Sequence, residues 1–158
     1  YPAELGKVLS DKTGEFYICH NYGINGETSS DLLRRSWSII KSNKECKLML
    51  LWIGTNDTKV PTPLDIYEDN LRQIINSGRA HGMNVIVATV PELGFSPFYL
   101  NNTEYTQKYT KVVNSLSKEM NFKVVDMSGM EPYLIDGVHY THEGNVEIAK
   151  RFTEVILS

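Results

Sequence analysis

Lys47-Leu48-Met49-Leu50-Leu51-Trp52-Ile53 runs without a break into Gly54-Thr55-Asn56-Asp57. So short and continuous an apolar run predicts a strand covered on both faces, since a half-exposed strand would alternate. The glycine-led polar stretch behind it predicts a loop at the strand's carboxyl end. Asn84–Val90 (NVIVATV) and Lys123–Asp126 (KVVD) have the same character and predict two more strands. Glu15–Tyr22 (EFYICHNY), rich in aromatic and β-branched residues, predicts another, which runs into the glycine-punctuated Gly23-Ile24-Asn25-Gly26-Glu27-Thr28.

Helical periodicity fills the intervals. Pro2 suits a first turn, and Leu5, Val8 and Leu9 share a face through Tyr1–Lys12. Thr28, Ser29 or Ser30 is placed to cap a helix carrying Leu32, Leu33, Trp37 and Ile40. Pro61 and Pro63 introduce a helix with Tyr67, Leu71, Ile74 and Ile75 on one face, ended at Gly82. Pro91–Asn102 reads as a loop with the exposed aromatics Phe95, Phe98 and Tyr99. Tyr105, Tyr109, Val112, Val113, Leu116 and Met120 mark a further helix, whose stripe is a core face. Glu143–Leu157 forms the last helix, with Val146, Ala149, Phe152 and Ile156 facing inward. Strands alternating with helices at crossover length predict one α/β domain over residues 1–158: a three-layer α/β/α arrangement around a mostly parallel sheet. In such sheets the chemistry collects at the carboxyl ends of the strands.

Composition narrows the function classes. With 41% apolar and 22% charged residues the chain is an ordinary globular protein, and its net charge of −3 gives no electrostatic reason to expect nucleic acid as a partner. No apolar run approaches the roughly 20 residues that span a bilayer. Cys19 and Cys46 are too few for a disulfide framework and lack metal-ligand spacing, so each reads as a small buried hydrophobe. The opening Tyr1-Pro2-Ala3 lacks both Met and signal-peptide character. It is expected not to be the natural start, which leaves the compartment open.

Asp136-Gly137-Val138-His139 precedes the last helix. An Asp and a His at this spacing, on a loop closed by glycine, can act as a pair: the carboxylate holds one ring nitrogen and the other faces a nucleophile. Taken alone, the stretch also reads as an Asp-Gly surface turn. An acyl-transfer site needs donors for a developing oxyanion as well. Gly26 offers an unobstructed backbone N–H and Asn56 a side-chain amide, each at a predicted strand's carboxyl end.

Together and in this order the blocks resemble the SGNH hydrolases, or GDSL esterase/lipase family. Asn21–Thr28 is similar to that family's glycine block, Gly54-Thr55-Asn56-Asp57 to its Gly-x-Asn-Asp block, and Asp136-Gly137-Val138-His139 to its Asp-x-x-His block. The resemblance implies the flavodoxin-like SGNH fold over almost the whole chain. It also implies a serine esterase that calls for neither metal nor cofactor. His139 becomes general base, Asp136 its orienter, and Gly26 and Asn56 the oxyanion hole; Asp57, Tyr140 and Phe95 are expected to contact substrate. His142 is expected to start the last helix, His20 to lie within a strand, and His81 to end a helix.

The family's Gly-Asp-Ser block is missing. No serine of the chain follows Gly-Asp, and Ser29 and Ser30 read as helix-cap residues. In that family the first strand lies inside the sheet, between the strands expected at Glu15–Tyr22 and Lys47–Ile53. Without it both would present unpaired edges. The expectation is therefore a preceding strand and turn of about 10–20 residues, carrying the nucleophilic serine. The implied substrate is a short-chain ester, acetyl above all, of a small molecule or carbohydrate. Two alternatives remain: an acyltransferase on the same fold, and an inactive ligand-binding module. A flavodoxin-like nucleotide binder lacks its Gly-x-Gly-x-x-Gly or Walker loop here.

Overall fold

The computed structural model describes residues 1–100 and 102–158; within the loop expected over Pro91–Asn102, Asn101 lies outside the described residues. Helix α1 (Pro2–Thr13) begins on proline, whose missing N–H is harmless in a first turn, and buries Leu5 and Leu9. Helix α2 (Ser29–Ser42) opens with a capping box: Thr28 Oγ1 accepts from the Asp31 N–H, and the Asp31 carboxylate accepts from the Thr28 N–H. Strand β1 (Leu48–Leu51), helix α3 (Leu64–Ala80), strand β2 (Asn84–Ala88), helix α4 (Asn102–Met120), strand β3 (Lys123–Val125) and helix α5 (His142–Leu157) follow in order.

The three strands form one parallel sheet in the order β1-β2-β3, with Leu50 opposite Ile86 and Val87 opposite Val124. Side-chain alternation sends the strands into two cores. Leu51, Val85 and Val87 pack with Tyr67, Leu71 and Tyr109 of α3 and α4. Ile86, Ala88 and Val125 pack with Leu5 and Leu9 of α1 and Ile148 and Phe152 of α5. Helices therefore cover both faces, giving the expected three layers. The strands can be apolar throughout because neither face of β2 meets water.

Four expectations are corrected. Glu15–Tyr22 forms no strand; it runs extended but unpaired, with Phe16 87% and Ile18 71% exposed. A strand exists only through its ladder partner, and a cavity of about 670 Å³, lined by Ile18, Cys19, Leu48, Leu50 and Trp52, separates this segment from β1. The cavity also explains why Leu48, Met49 and Leu50 are only half-buried, and why Cys19 and Cys46, both lining it, are half-buried rather than core residues. His20, expected within a strand, is exposed on the unpaired segment. Trp37 is 58% exposed instead of inward, because the buried stripe of α2 passes through Ser29, Ser36 and Ile40, one position off; the Lys41 ammonium covers its ring at 4.6 Å.

Candidate active site

Leu134 and Tyr140 pair antiparallel, and the Ile135 N–H donates to the His139 carbonyl at 2.8 Å. Asp136–His139 is thus the tip of a minute hairpin just before α5. Inside it Asp136 uses both carboxylate oxygens. Oδ1 accepts from the Val138 and His139 N–H groups at 3.0 and 2.7 Å, and Oδ2 lies 2.7 Å from His139 Nδ1. These donors, the His139 N–H first, hold the Asp136 carboxyl well below the usual carboxylate range. An ionised Asp136 only accepts, so Nδ1 carries a proton, and in the neutral imidazole the lone pair falls to Nε2. The pair is open to solvent, His139 being 73% and Asp136 53% exposed. Among the described residues no hydroxyl bonds to Nε2.

Gly26 sits in a turn at φ 82°, in the left-handed region that favours glycine, and is exposed. Arg35 of α2 holds that turn by donating to the Glu27 carboxylate and the Tyr22 carbonyl; Glu27 in return raises the guanidinium's affinity for its proton. The loop after β1 becomes a single helical turn, Asn56–Thr58. Asn56 Nδ2 donates to the Glu27 carbonyl at 3.1 Å, next to Gly26. Asn56 is therefore tied to the residue that follows Gly26.

Asp57 overturns its expected role. It is fully buried, and its carboxylate accepts from the Ser29 N–H (2.9 Å), the Ser29 hydroxyl (2.6 Å) and the Thr62 hydroxyl (2.8 Å). From there it cannot meet substrate. It pins the positive end of α2 beneath the Asn56 turn, where a carboxylate suits the helix dipole. Tyr140, also expected at the substrate, is half-buried along the wall of the cavity. Its ring stacks on Trp52 at 6.3 Å and its hydroxyl is enclosed without a partner among the described residues, so burial pushes the phenol up to about 12. Phe95 remains available, 88% exposed.

The segment after β2 links the halves of the site. Its Gly94 N–H donates to the Gly137 carbonyl at 2.9 Å, and its Tyr99 hydroxyl donates to Asn56 Oδ1 at 2.7 Å. Sequence reading missed Tyr99 as an inward residue, Arg35 as a clamp, and Ser29 as more than a cap. Nothing local in the sequence signals any of the three, since each partner lies on another element. His142 opens α5 and His81 caps α3, as expected. His20, Glu45 and Cys46 bring donor atoms within 4.8 Å of one another near the amino end of β1, a set able to approach a metal ion away from the dyad. No helix among the described residues is long and apolar enough to cross a membrane.

Residues 1–146 match the family described as GDSL-like Lipase/Acylhydrolase family. No curated protein matches the sequence. Among solved structures, the chain is similar to a lipase/acylhydrolase from Enterococcus faecalis at TM-score 0.84 and 19% identity, covering 98% of this chain and 83% of that one. An acetyl xylan esterase from Geobacillus stearothermophilus superposes at TM-score 0.81 and 24% identity, over 98% and 79% of the respective chains. A carbohydrate acetylesterase from Sinorhizobium meliloti gives 0.80 and 16%, over 99% and 83%.

Proposed function

Because this chain belongs to the GDSL-like lipase/acylhydrolase family, we propose that it is the larger part of a serine esterase acting on short-chain esters, acetyl esters of carbohydrates foremost. The observation that carries the reading is the direct bond between the Asn56 amide and the glycine turn, linked through the Tyr99 segment to a dyad whose Nδ1 is fully engaged by Asp136.

The nucleophile in this reading is a serine on a segment upstream of Tyr1. The outer edge of β1 has no partner among the described residues, and the cavity beside it runs along Leu48, Leu50 and Trp52. Tyr1 stacks on Phe152 at 5.2 Å and meets Trp52 edge-on at 5.8 Å, just beyond the carboxyl end of β1. A strand filling the cavity parallel to β1 would emerge at that end, where α1 begins. It would complete the ladder and deliver its following turn beside Gly26 and Asn56.

In the reaction, His139 Nε2 takes the serine proton while Oγ bonds to the ester carbonyl carbon. The carbonyl oxygen gains the negative charge and is met by the Gly26 N–H and the free Asn56 Nδ2–H. The imidazolium, stabilised by Asp136, returns its proton to the departing alcohol oxygen as the C–O bond breaks. Water then attacks the acyl-serine with the same base and releases the carboxylic acid. The open dyad and the exposed Phe95 suit a compact acyl group on a bulky, solvent-borne alcohol such as a sugar, as do the two acetylesterases of the same fold.

The test is fluorophosphonate labelling and p-nitrophenyl acetate turnover on the longest natural form of the protein. One adduct on a serine preceding Tyr1, with turnover lost in His139→Ala, supports the reading. No adduct and no turnover would make the chain a ligand-binding module of the same fold. Product partitioning toward an added sugar alcohol would mark an acyltransferase.

A further inference from the structure

We infer that Tyr99 is a positioning residue for the oxyanion hole: it fixes which end of the Asn56 amide faces the reacting carbonyl and strengthens that amide as a donor. The inference rests on the reading of Asn56 as an oxyanion donor. Two partners of opposite character hold the amide. Nδ2 lies 3.1 Å from the Glu27 carbonyl oxygen, and Oδ1 lies 2.7 Å from the Tyr99 hydroxyl. A backbone carbonyl can only accept, so the amide nitrogen has to face Glu27. Oδ1 then faces Tyr99, whose hydroxyl has to donate. Rotating the amide by half a turn would set two oxygens against each other at Glu27. With one Nδ2 hydrogen committed to Glu27, the second stays free for an oxyanion.

The hydroxyl does more than choose the rotamer. A hydrogen bond received at Oδ1 draws electron density from the amide and makes its N–H more acidic, the cooperative strengthening expected along a chain of bonds. The Lys59 ammonium stands 4.9 Å from the centre of the Tyr99 ring, a cation–π contact that helps to hold the ring in place. Tyr99 is half-buried on a segment where its neighbours Phe98 and Leu100 are 75% and 77% exposed. It is the aromatic of that run turned inward, and its hydroxyl lands on Asn56.

The experiment compares Tyr99→Phe, Asn56→Ala and the double variant in the longest natural form of the protein, with p-nitrophenyl acetate. Asn56→Ala is expected to lower kcat about 10²–10³-fold, the usual effect of removing one oxyanion donor. Tyr99→Phe is expected to lower kcat roughly tenfold at nearly constant KM, consistent with a bond felt in the transition state. The double variant is expected to match Asn56→Ala, because Tyr99 has nothing left to orient. The side-chain amide NMR pair of Asn56 should shift and broaden in Tyr99→Phe while the backbone spectrum is retained. Full activity in Tyr99→Phe beside a crippled Asn56→Ala overturns this inference alone, as does an unmoved Asn56 pair or a further tenfold loss in the double variant. Full activity in Asn56→Ala overturns the oxyanion reading, and this inference with it.

Discussion

Gly94 and Gly137 touch backbone to backbone: the Gly94 N–H donates to the Gly137 carbonyl at 2.9 Å, and a Cβ on Gly94 would meet Gly137 Cα at 2.9 Å. Two glycines let the segment after β2 lie against the Asp136–His139 tip closely enough to hold it. A Cβ on Gly137 would strike the Phe95 carbonyl oxygen at 2.5 Å, and its φ of 83° is strained for any other residue. Gly137→Ala is therefore expected to cost about 1–3 kcal/mol of local stability and to loosen the dyad from the Tyr99 segment. Amide hydrogen exchange is expected to rise at Val138 and His139 together with Gly94, while β2 and β3 stay protected.

Asp57, next to Asn56, ties the start of α2 to the turn after β1. Asp57→Ala leaves the Ser29 N–H and the Ser29 and Thr62 hydroxyls without their acceptor in a dry site. The expected loss is about 3 kcal/mol, or roughly 9 °C in Tm at about 3 °C per kcal/mol for a domain of this size. Thermal unfolding checks it; a Tm within a degree or so of the parent would show that the buried carboxylate is dispensable.

Asp136→Asn keeps the size of the side chain but removes its charge and one of its two accepting oxygens. In the proposed mechanism the imidazolium then lacks its counter-charge, and kcat is expected to fall on the order of 10²–10⁴-fold, with KM little changed.

The same carboxylate sets a pH expectation. Its folded pKa lies below the unfolded value of about 3.9, so its contribution to the loop is complete above that value. That contribution is lost only as pH falls through the lowered folded value. A carboxyl ¹³C titration of Asp136 should show no inflection near the usual aspartate value, and an inflection there would mean that the bonds to His139 and Val138 do not hold in solution.

Tyrosines give the alkaline counterpart. Burial raises Tyr1, Tyr109 and Tyr140 from 10.0 to about 12, with the Asp57 charge contributing at Tyr109. The folded chain keeps phenol protons that the unfolded chain releases. Stability is therefore fully present below pH 10.0 and declines as pH rises toward about 12. Urea midpoints measured across that window should fall steadily, with part of the tyrosinate absorbance appearing only on unfolding. Complete tyrosinate formation in the folded chain near its ordinary pKa would contradict the burial of these rings.

Much of the molecule was legible in the chain itself. The apolar runs ending at Leu51, Ala88 and Val125 and the stripes Leu5–Leu9 and Tyr67–Ile75 determined the strands, the helices and the layers, because burial on two faces leaves a period that can be read locally. Asp136 and His139 were equally readable, since their geometry depends on a turn of adjacent residues. Other features were decided by tertiary structure alone. Glu15–Tyr22 carries a strand's composition but is no strand, because strand formation belongs to a pair of segments and the place beside β1 is a cavity. Asp57 turned inward because Ser29 and Thr62 wait for it, and Tyr99 became part of the site because its hydroxyl meets an amide 43 positions earlier. Hydrogen bonds across such separations leave no periodic trace; only the folded chain chooses the partner.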